Sequence, residues 1–380
     1  HVTWFEIVPG TPWDLSDKGD VALAVDIVNT GATSTSFYVT TTDSSGKTQI
    51  RTTVVPAESS GTYFVELASP ALEADSGIRS NPLSWETAYT PAIWRGGTRH
   101  LDLSSIRSIK FDVRGVLEDK SFIVDNVRLV FPQSYDKDHL VGLVDEFGQN
   151  AKREFVNKVS STEELVAAAE RELAQLRDEP PPGRSRYGGW ADGPRLEASG
   201  FFRTEKHDGK WWFVDPEGYL FFSNGIANIR MSNTSTMTGY DFDADAVAQR
   251  SAGDLIPEDS EGLNRAPSHA WPTRFVSSEL RAKMFNWLPP LEHPMAQHYG
   301  YRREAHSGPL ETGETYSFYR ANLARKYQSD DPDVFMTKWR DTTVDRMLSW
   351  GFTSFGNWVD PMFYQLDRFP YFANGWICLL

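Results

Sequence analysis

Two short stretches place amide, guanidinium and aromatic side chains directly after apolar runs of the chain. The first is SNGIANIR (223–230), which follows the run YLFF (219–222), and the second is GNWVDP (356–361), which follows FTSF (352–355). Amide and guanidinium groups hydrogen-bond to hydroxyl groups, and the face of a Trp ring suits the C–H face of a pyranose. The two stretches therefore predict a sugar-binding surface built where two strands end.

The asparagines of these stretches, Asn224, Asn228 and Asn357, have a second explanation. Asn side chains bond nearby backbone groups and so cap the turns that follow strands. The binding explanation needs a (β/α)₈ barrel, in which functional loops follow the carboxyl ends of the strands. Residue types alone favour neither explanation.

A third group of candidate residues lies in FNWLPPLEHPMAQHYGYRREAHSGP (285–309). Its aromatic, histidine and arginine residues are Trp287, His293, His298, Tyr299, Tyr301, Arg302, Arg303 and His306. The histidine spacings of five and eight residues match no metal-ligand motif, and no HExxH motif occurs. We expect a sugar-binding lid, or an ordered loop that covers the mouth of a barrel.

A possible structural Ca²⁺ site involves Glu6 and Asp125. Asp125 lies in FIVDNVRLVF (122–131), which we expect to be the last strand of a sandwich, opposite a first strand that carries Glu6. Carboxylates with nearby carbonyl groups are the ligands that Ca²⁺ prefers. An ordinary charged pair at a sheet edge explains the two residues more simply, and no cofactor is expected to be needed for catalysis.

Composition excludes several other functions. The formal charge of −14, from 52 acidic and 38 basic residues, disfavours binding to nucleic acid and to anionic membranes. No apolar stretch approaches the roughly 20 residues of a membrane-spanning helix. The single cysteine, Cys378, allows no disulfide within the chain, and no Walker A motif, Rossmann fingerprint or nucleophile elbow occurs.

The elements that would position these residues fall into two regions. Residues 1–133 carry alternating runs such as VALAVDIVNTG (21–31) and SIKFDVRG (108–115), which predict an antiparallel β-sandwich of the jelly-roll type. Residues 134–185 contain a connector helix with Ser161 as N-cap, Glu164 as its capping-box partner and the prolines 180–182 as its end.

Residues 186–380 show a mixed pattern. Two strands around the turn 215–218 are predicted within 208–225, and an irregular insertion spans 231–330. A helix at 332–351 precedes the strand 352–357, which completes a strand–helix–strand unit and implies a parallel sheet.

Several long blocks taken together resemble the family-50 glycoside hydrolases, the β-agarases. They are VDEFGQNAKREFVNK (144–158), RYGGW (186–190), DGKWWFVDPEGYLFFSNGIANIR (208–230), NWLP (286–289), HYGYRREAHSGPLETGETYSFYRANLARKY (298–327), KWRDTTVDRMLSWGFTSFGNWVDPMFY (338–364) and YFANGW (371–376). They cover most of residues 140–376.

This resemblance implies a sandwich like a carbohydrate-binding module, followed by a (β/α)₈ TIM-type barrel. It implies exo-type hydrolysis of the β-1,4 bonds of agarose and neoagaro-oligosaccharides, with retention and release of neoagarobiose, by a secreted or periplasmic enzyme. The substrate-binding residues that it implies are Asn228, Arg230, Trp287, His298, Tyr299, Arg302, Asn357 and Trp358.

The sequence departs from that family at the catalytic acids. Retaining hydrolysis needs two carboxylates about 5–5.5 Å apart, and in similar barrel enzymes these are two Glu, the first usually preceded by Asn. No Asn-Glu dipeptide occurs in the chain. About two barrel strands fit after residue 185, so we expect an incomplete barrel and no catalytic pair. The carboxylates that could replace the missing pair are Glu304, Glu311, Glu314 and Asp360, and none of them has the expected neighbours.

Three hypotheses follow from the sequence. The chain is part of an exo-β-agarase, it is a catalytically silent fragment that binds galactans, or it belongs to a hydrolase of another algal polysaccharide such as porphyran or carrageenan. Sulfated substrates favour clustered Arg and Lys, which the charge of −14 disfavours.

Overall fold

A computed structural model describes residues 3–19, 21–67, 90–98, 101–115, 118–131, 140–254, 263–305 and 310–373. The chain divides into two compact units, one containing residues 1–140 and the other containing residues 141–305 and 311–380. Residues 141–185, predicted as a connector, are part of the second unit. The boundaries at 133 and 185 stay predictions. Among the described residues, no helix has the length and hydropathy needed to cross a bilayer.

The first unit is built from two β-sheets. Its strands are β1 (Thr3–Ile7), β2 (Ala22–Asn29), β3 (Thr35–Asp43), β4 (Thr48–Val55), β5 (Ser59–Glu66), β6 (Thr90–Pro91), β7 (Ile93–Gly97), β8 (Ile106–Val113) and β9 (Phe122–Val130). One sheet has the order β1-β8-β3-β4-β7 and the other has the order β6-β5-β2-β9. The pairs are antiparallel except for the short parallel pair of β5 and β6.

The core of the first unit lies between these sheets. Alternate residues point inward, such as Val25 and Ile27 of one sheet and Phe37, Val39 and Phe111 of the other, and all five belong to one buried cluster. Each large apolar side chain removed from water contributes roughly 1.5–3 kcal/mol. The alternation in the sequence therefore predicted the sandwich correctly, and its jelly-roll connectivity stays a prediction.

The second unit combines short strands with five helices among its described residues. The strands are β10 (Arg203–His207), β11 (Lys210–Val214), β12 (Leu220–Phe221), β13 (Gly225–Ile226), β14 (Thr236–Met237), β15 (Tyr240–Asp241), β16 (Phe275–Val276), β17 (Tyr299–Arg302), β18 (Gly313–Tyr316) and β19 (Ser354–Phe355). The helices are α1 (Thr162–Leu173), α2 (Ala244–Ala248), α3 (Glu279–Ala282), α4 (Phe318–Tyr327) and α5 (Pro332–Ser349).

Helices α1 and α5 begin as the sequence predicts. The Ser161 hydroxyl accepts a hydrogen bond from the amide of Glu164 (3.3 Å), and the Glu164 carboxylate accepts one from the amide of Ser160 (2.7 Å). Helix α5 has Pro332 at its first turn and Asp331 as N-cap. These side chains satisfy backbone amides that have no partner inside the helix.

The insertion 231–330 is more ordered than its composition predicts. Strands β17 and β18 form an antiparallel hairpin, with β14 added beside β18. The insertion ends in helix α4, which the sequence analysis missed. The apolar residues of α4 follow no clean helical stripe, because the helix buries Phe318, Ala321, Leu323, Ala324 and Tyr327 on several sides.

Strands β13 and β19 are the only parallel pair of strands among the described residues of the second unit. Helix α5 immediately precedes β19, and the two contribute Trp339, Val344, Met347 and Phe355 to one buried cluster. The predicted parallel pairing is therefore confirmed, but its first strand is β13 (Gly225–Ile226) and not the run 219–222, which pairs antiparallel with β11. The described residues contain no closed barrel.

Glu172 of α1 joins three helices through one carboxylate. It accepts hydrogen bonds from two nitrogens of Arg346, Nε (2.6 Å) and Nη2 (2.7 Å), and a third from Nζ of Lys326 (3.1 Å). These bonds, above all those from Arg346, lower the pKa of Glu172 to about 2. The carboxylate therefore remains ionised in the folded chain at pH values where an unfolded chain is protonated.

We predict that Glu172→Gln lowers the free energy of unfolding by about 1–2 kcal/mol at pH 7, between the effects typical of exposed and of buried ion pairs. The contribution is fully present above the ordinary pKa of 4.5 and is lost as the pH falls toward about 2. Urea unfolding at several pH values measures it.

Glu170→Gln is the matched control, because Glu170 is an exposed residue of the same helix. The account fails if the two variants are destabilised equally, or if the effect of Glu172→Gln is unchanged between pH 7 and pH 2.5.

Candidate functional site

The carboxyl ends of β13 and β19 lie side by side. The amide of Gly356 donates to the carbonyl of Ile226 (2.9 Å), and the amide of Asn228 donates to the carbonyl of Asn357 (2.8 Å). The amide of Asp360 continues the series by donating to the carbonyl of Ile229 (2.8 Å). The structure therefore brings the two predicted strand ends together at one edge.

Glycine makes this close approach possible. A Cβ on Gly356 would lie 3.0 Å from the backbone nitrogen of Ala227, and a Cβ on Gly225 would overlap the carbonyl of Ser354. A larger residue at either position would push the two strands apart. The glycines in SNG and FGN are thus part of what positions the site.

Asn228 and Trp358 have left-handed backbone conformations, with φ values of 63° and 59°. The Asn228 side chain does not cap its turn, because its Oδ1 accepts from Nδ2 of Asn233 (3.1 Å). Asn357 and Trp358 are exposed, and 41% of Trp358 is accessible to solvent. The amide groups and the Trp ring thus lie at an accessible edge.

A cavity of 320 Å³ opens beside β13. It is lined by Ile226, Asn228, Ile229, Arg230, Asn233, Thr234, Tyr319, Trp339, Thr343, Arg346, Met347 and Trp350. Two of the predicted binding residues, Asn228 and Arg230, are among them. Nε of Arg230 donates to Oδ1 of Asn233 (3.2 Å), so this arginine lies beside the two asparagines.

One wall of the cavity comes from helix α5 and was missed by sequence reasoning. Trp339, Thr343, Arg346 and Trp350 line this wall. They stand at positions i, i+4, i+7 and i+11, which lie on one face of a helix. Since core residues follow the same spacing, the pattern could have located the face but not its role.

Two predicted binding residues of the insertion are buried instead. Tyr299 is 2% exposed, and its hydroxyl donates to the carbonyl of Pro289 (2.7 Å). Burial raises the pKa of Tyr299 above its ordinary value. His298 is 1% exposed and lies among the rings of Tyr316 and Phe335. These two side chains are packed among other rings and backbone groups, so their place in or near a substrate channel stays a prediction.

The other predicted residues of this segment are half-buried. Trp287 packs edge-on against His293, with ring centroids 5.6 Å apart, and Arg302 Nη2 lies 3.4 Å from the Ser235 hydroxyl that accepts its hydrogen bond. Neither residue lines the cavity beside β13. His306 lies outside the described residues.

Two of the four candidate carboxylates are engaged by groups of the fold. Glu314 is 1% exposed and accepts two hydrogen bonds from Arg274, at 2.9 and 2.7 Å. The Asp360 oxygens accept from the backbone amides of Met231 (3.3 Å) and Met362 (3.2 Å). Glu304 and Glu311 are exposed loop residues. The two buried or half-buried acids thus serve the fold.

The predicted Ca²⁺ pair is separated by the structure. Glu6 lies on β1 of the five-stranded sheet, whereas Asp125 lies on β9 of the four-stranded sheet, so the two strands do not pair with each other. Ile7 and Val124, their chain neighbours, pack toward the core, which directs both carboxylates outward. The described residues contain no group of three or more His, Cys, Asp or Glu that could hold a metal ion.

Residues 1–140 match the model of the agarase CBM like domain. β-Agarase B from Vibrio sp. (strain JT0107) is 38% identical over 96% of this chain and 37% of its own length. The solved structure of an exo-β-agarase is 50% identical, with a TM-score of 0.87 over 99% of this chain and 51% of that one.

A second solved structure, PfGH50B, is 42% identical, with a TM-score of 0.85 over 99% of this chain and 51% of that one. The resemblance to the family-50 β-agarases that the sequence carries is confirmed. The chain spans 37% of the length of the curated relative and about half of each solved structure.

The buried ring of His298 should make the stability of the folded chain depend on pH. Burial, with the nearby Arg320 and Arg325, lowers the pKa of His298 from 6.5 to about 3. Within the described part of the chain, neither ring nitrogen has a hydrogen-bond partner. The unfolded chain binds a proton between these two pKa values and the folded chain does not, so stability is lost as the pH falls through this window.

We expect His298→Phe to remove this loss, which is at most ~1.4 kcal/mol per pH unit for one group. Urea unfolding of the wild type and the variant between pH 7 and pH 4 measures the difference in slope. His269→Phe, at an exposed histidine, is the control. Parallel pH profiles of the wild type and His298→Phe would contradict this role.

Proposed function

We propose that this chain forms part of a family-50 exo-β-agarase that hydrolyses the β-1,4 bonds of agarose and neoagaro-oligosaccharides, with retention and release of neoagarobiose. The observation that carries the proposal is the likeness, at 50% identity and a TM-score of 0.87, to an exo-β-agarase over 99% of this chain. The match of residues 1–140 to the agarase CBM like domain supports it independently.

The strand ends supply suitable chemistry for a neutral sugar. Asn228 and Asn357 carry amides that donate to and accept from hydroxyl groups, and Trp358 presents an exposed ring for a pyranose face. Arg230 adds donors at the cavity rim. We therefore retain these four residues as the proposed binding site, and we give Trp287 and Arg302 a supporting place in the insertion.

The chemical step needs two carboxylates about 5–5.5 Å apart. Glu314 and Asp360 are engaged by Arg274 and by backbone amides. We propose that the catalytic acid and nucleophile lie outside the described residues, and that the described ones bind and orient the substrate.

The proposal extends to the fold. Residues 1–133 would form a jelly-roll module, 134–185 a connector, and 186–380 part of a (β/α)₈ barrel with 231–330 inserted in it. Large apolar side chains in β13 and shortly before it support the barrel, since Phe222 and Ile226 are 69% and 38% exposed. Such surfaces are typical of interfaces that further elements cover.

Two alternatives remain part of the proposal. The first is a galactan-binding role without hydrolysis, which is compatible with the engagement of Glu314 and Asp360 by the fold. A hydrolase of another algal polysaccharide is less favoured, because sulfated chains would meet a molecule with a net charge of −14. In both cases the protein would bind a large polysaccharide outside the cytoplasm. We therefore propose secretion or periplasmic export.

We expect the 380-residue chain to bind agarose without cutting it. The test incubates the purified chain with agarose and neoagarotetraose, looks for neoagarobiose by mass spectrometry, and measures retardation in an agarose affinity gel. Retardation without product supports this proposal. Product formation would move the acids into this chain, and absence of both product and retardation would sink the proposed function.

Trp358→Ala should weaken retardation about tenfold, the equivalent of about 1.4 kcal/mol. The reason is that the ring would lose its contact with the sugar, and burying a large apolar side chain contributes roughly 1.5–3 kcal/mol. Trp211→Ala is the control, because Trp211 is an exposed Trp on the β10–β12 sheet. Equal retardation of wild type and Trp358→Ala would remove Trp358 from the site.

A further inference from the structure

The turn that carries Trp358 is held between two anchors in the core. Phe355 before it and Val359 after it are 1% and 3% exposed, and both belong to the buried cluster of the second unit. Three residues connect these anchors, and the last of them is Trp358. The chain bends at Asn357 and Trp358, and Trp358 adopts the left-handed conformation.

A left-handed backbone is unfavourable for a bulky side chain. The φ of Trp358 is 59°, a region that glycine adopts readily and that other residues, apart from Asn and Asp, seldom adopt. Strained backbone of this kind persists where the surroundings over-determine it, often at ligand sites. Nearby interactions must therefore hold Trp358 in place.

Asp360 supplies those interactions. Its amide donates to the carbonyl of Ile229 (2.8 Å). Its Oδ2 accepts from the amide of Met231 (3.3 Å), and its Oδ1 accepts from the amide of Met362 (3.2 Å). One residue thus ties the loop after β13 to the loop after β19, two positions beyond the Trp ring.

A carboxylate fits this place better than an amide. Two backbone N–H groups point at two oxygen atoms, and an ionised Asp offers an acceptor to each of them. An Asn side chain would offer one acceptor and turn its NH₂ group toward the other donor.

We propose that Asp360 is a positioning residue, which fixes the Trp358 ring as a preformed platform for one sugar ring of the substrate. This role rests on the proposed function, because the platform matters only if a sugar binds there. Asp360 acts through Trp358 and does not touch the substrate itself. Preformed platforms bind more tightly because less freedom is lost on binding.

A double-mutant cycle tests this role on the full 380-residue chain. The four proteins are the wild type, Asp360→Asn, Trp358→Ala and the double variant, each measured for retardation by agarose and for melting temperature. We expect Asp360→Asn to weaken retardation about tenfold, as Trp358→Ala does. The double variant should be no weaker than Trp358→Ala alone, because interacting residues are not additive.

Asp331→Asn is the matched control. Asp331 is the N-cap of α5, and its Oδ1 accepts a hydrogen bond from the amide of Asp333 (2.9 Å). It supports no residue of the proposed site. We expect this variant to keep its retardation and most of its melting temperature, because Asn caps a helix about as well as Asp does. Asp360→Asn with lowered melting temperature and unchanged retardation would show a structural role only, and additive losses in the double variant would also overturn the proposal.

A second measurement tests the strain without any sugar. If Asp360 holds position 358 left-handed, Trp358→Gly should melt about 2–4 °C above Trp358→Ala. In the Asp360→Asn background that difference should disappear, because the turn can relax. An equal difference in both backgrounds would contradict the positioning role. If the wild type fails to bind agarose, the proposed function fails, while this comparison still decides whether Asp360 fixes the turn.

Discussion

The parallel pairing of β13 with β19 is the constraint on which the candidate site depends. Only two residues of each strand pair in register, yet hydrogen bonds continue past the strand ends from Asn228 to Asn357 and from Asp360 to Ile229. Parallel strands present their carboxyl ends at the same edge. Two stretches that are more than a hundred residues apart in the sequence therefore meet at this edge, because backbone hydrogen bonds hold them side by side.

Much of the architecture could be predicted from the sequence because its signals are local. Alternating residues predicted the sandwich, and the predicted cap Ser161 stands where its helix begins. The meeting of Asn228 with Asn357 was also predictable, since a strand–helix–strand pattern implies a parallel pair. These features depend on short-range periodicity and capping.

The remaining features depend on contacts that sequence patterns do not carry. His298 and Tyr299 have the residue types of a binding lid, but pairing with β18 buries them in the hairpin core. Glu6 and Asp125 stand on different sheets, because strand order is set by long-range pairing. Trp339 and Trp350 line the cavity from a helix whose residues look like ordinary core.

Three carboxylates that are not fully exposed hold elements of this molecule together. Glu314 is paired with Arg274, Glu172 with Arg346 and Lys326, and Asp360 with backbone amides. What remains at the accessible strand ends is neutral and aromatic, apart from Arg230. This division of roles agrees with a surface that binds a neutral polysaccharide and leaves bond cleavage to carboxylates elsewhere.

The central claim is that the strand ends of β13 and β19 bind an agarose oligosaccharide with Trp358 as the platform. A crystal structure of the chain with neoagarotetraose tests it most directly. The account predicts a pyranose ring stacked on Trp358, with hydroxyl groups hydrogen-bonded to the Asn228 or Asn357 amides. Oligosaccharide bound elsewhere, with the Trp358 ring uncovered, would contradict it.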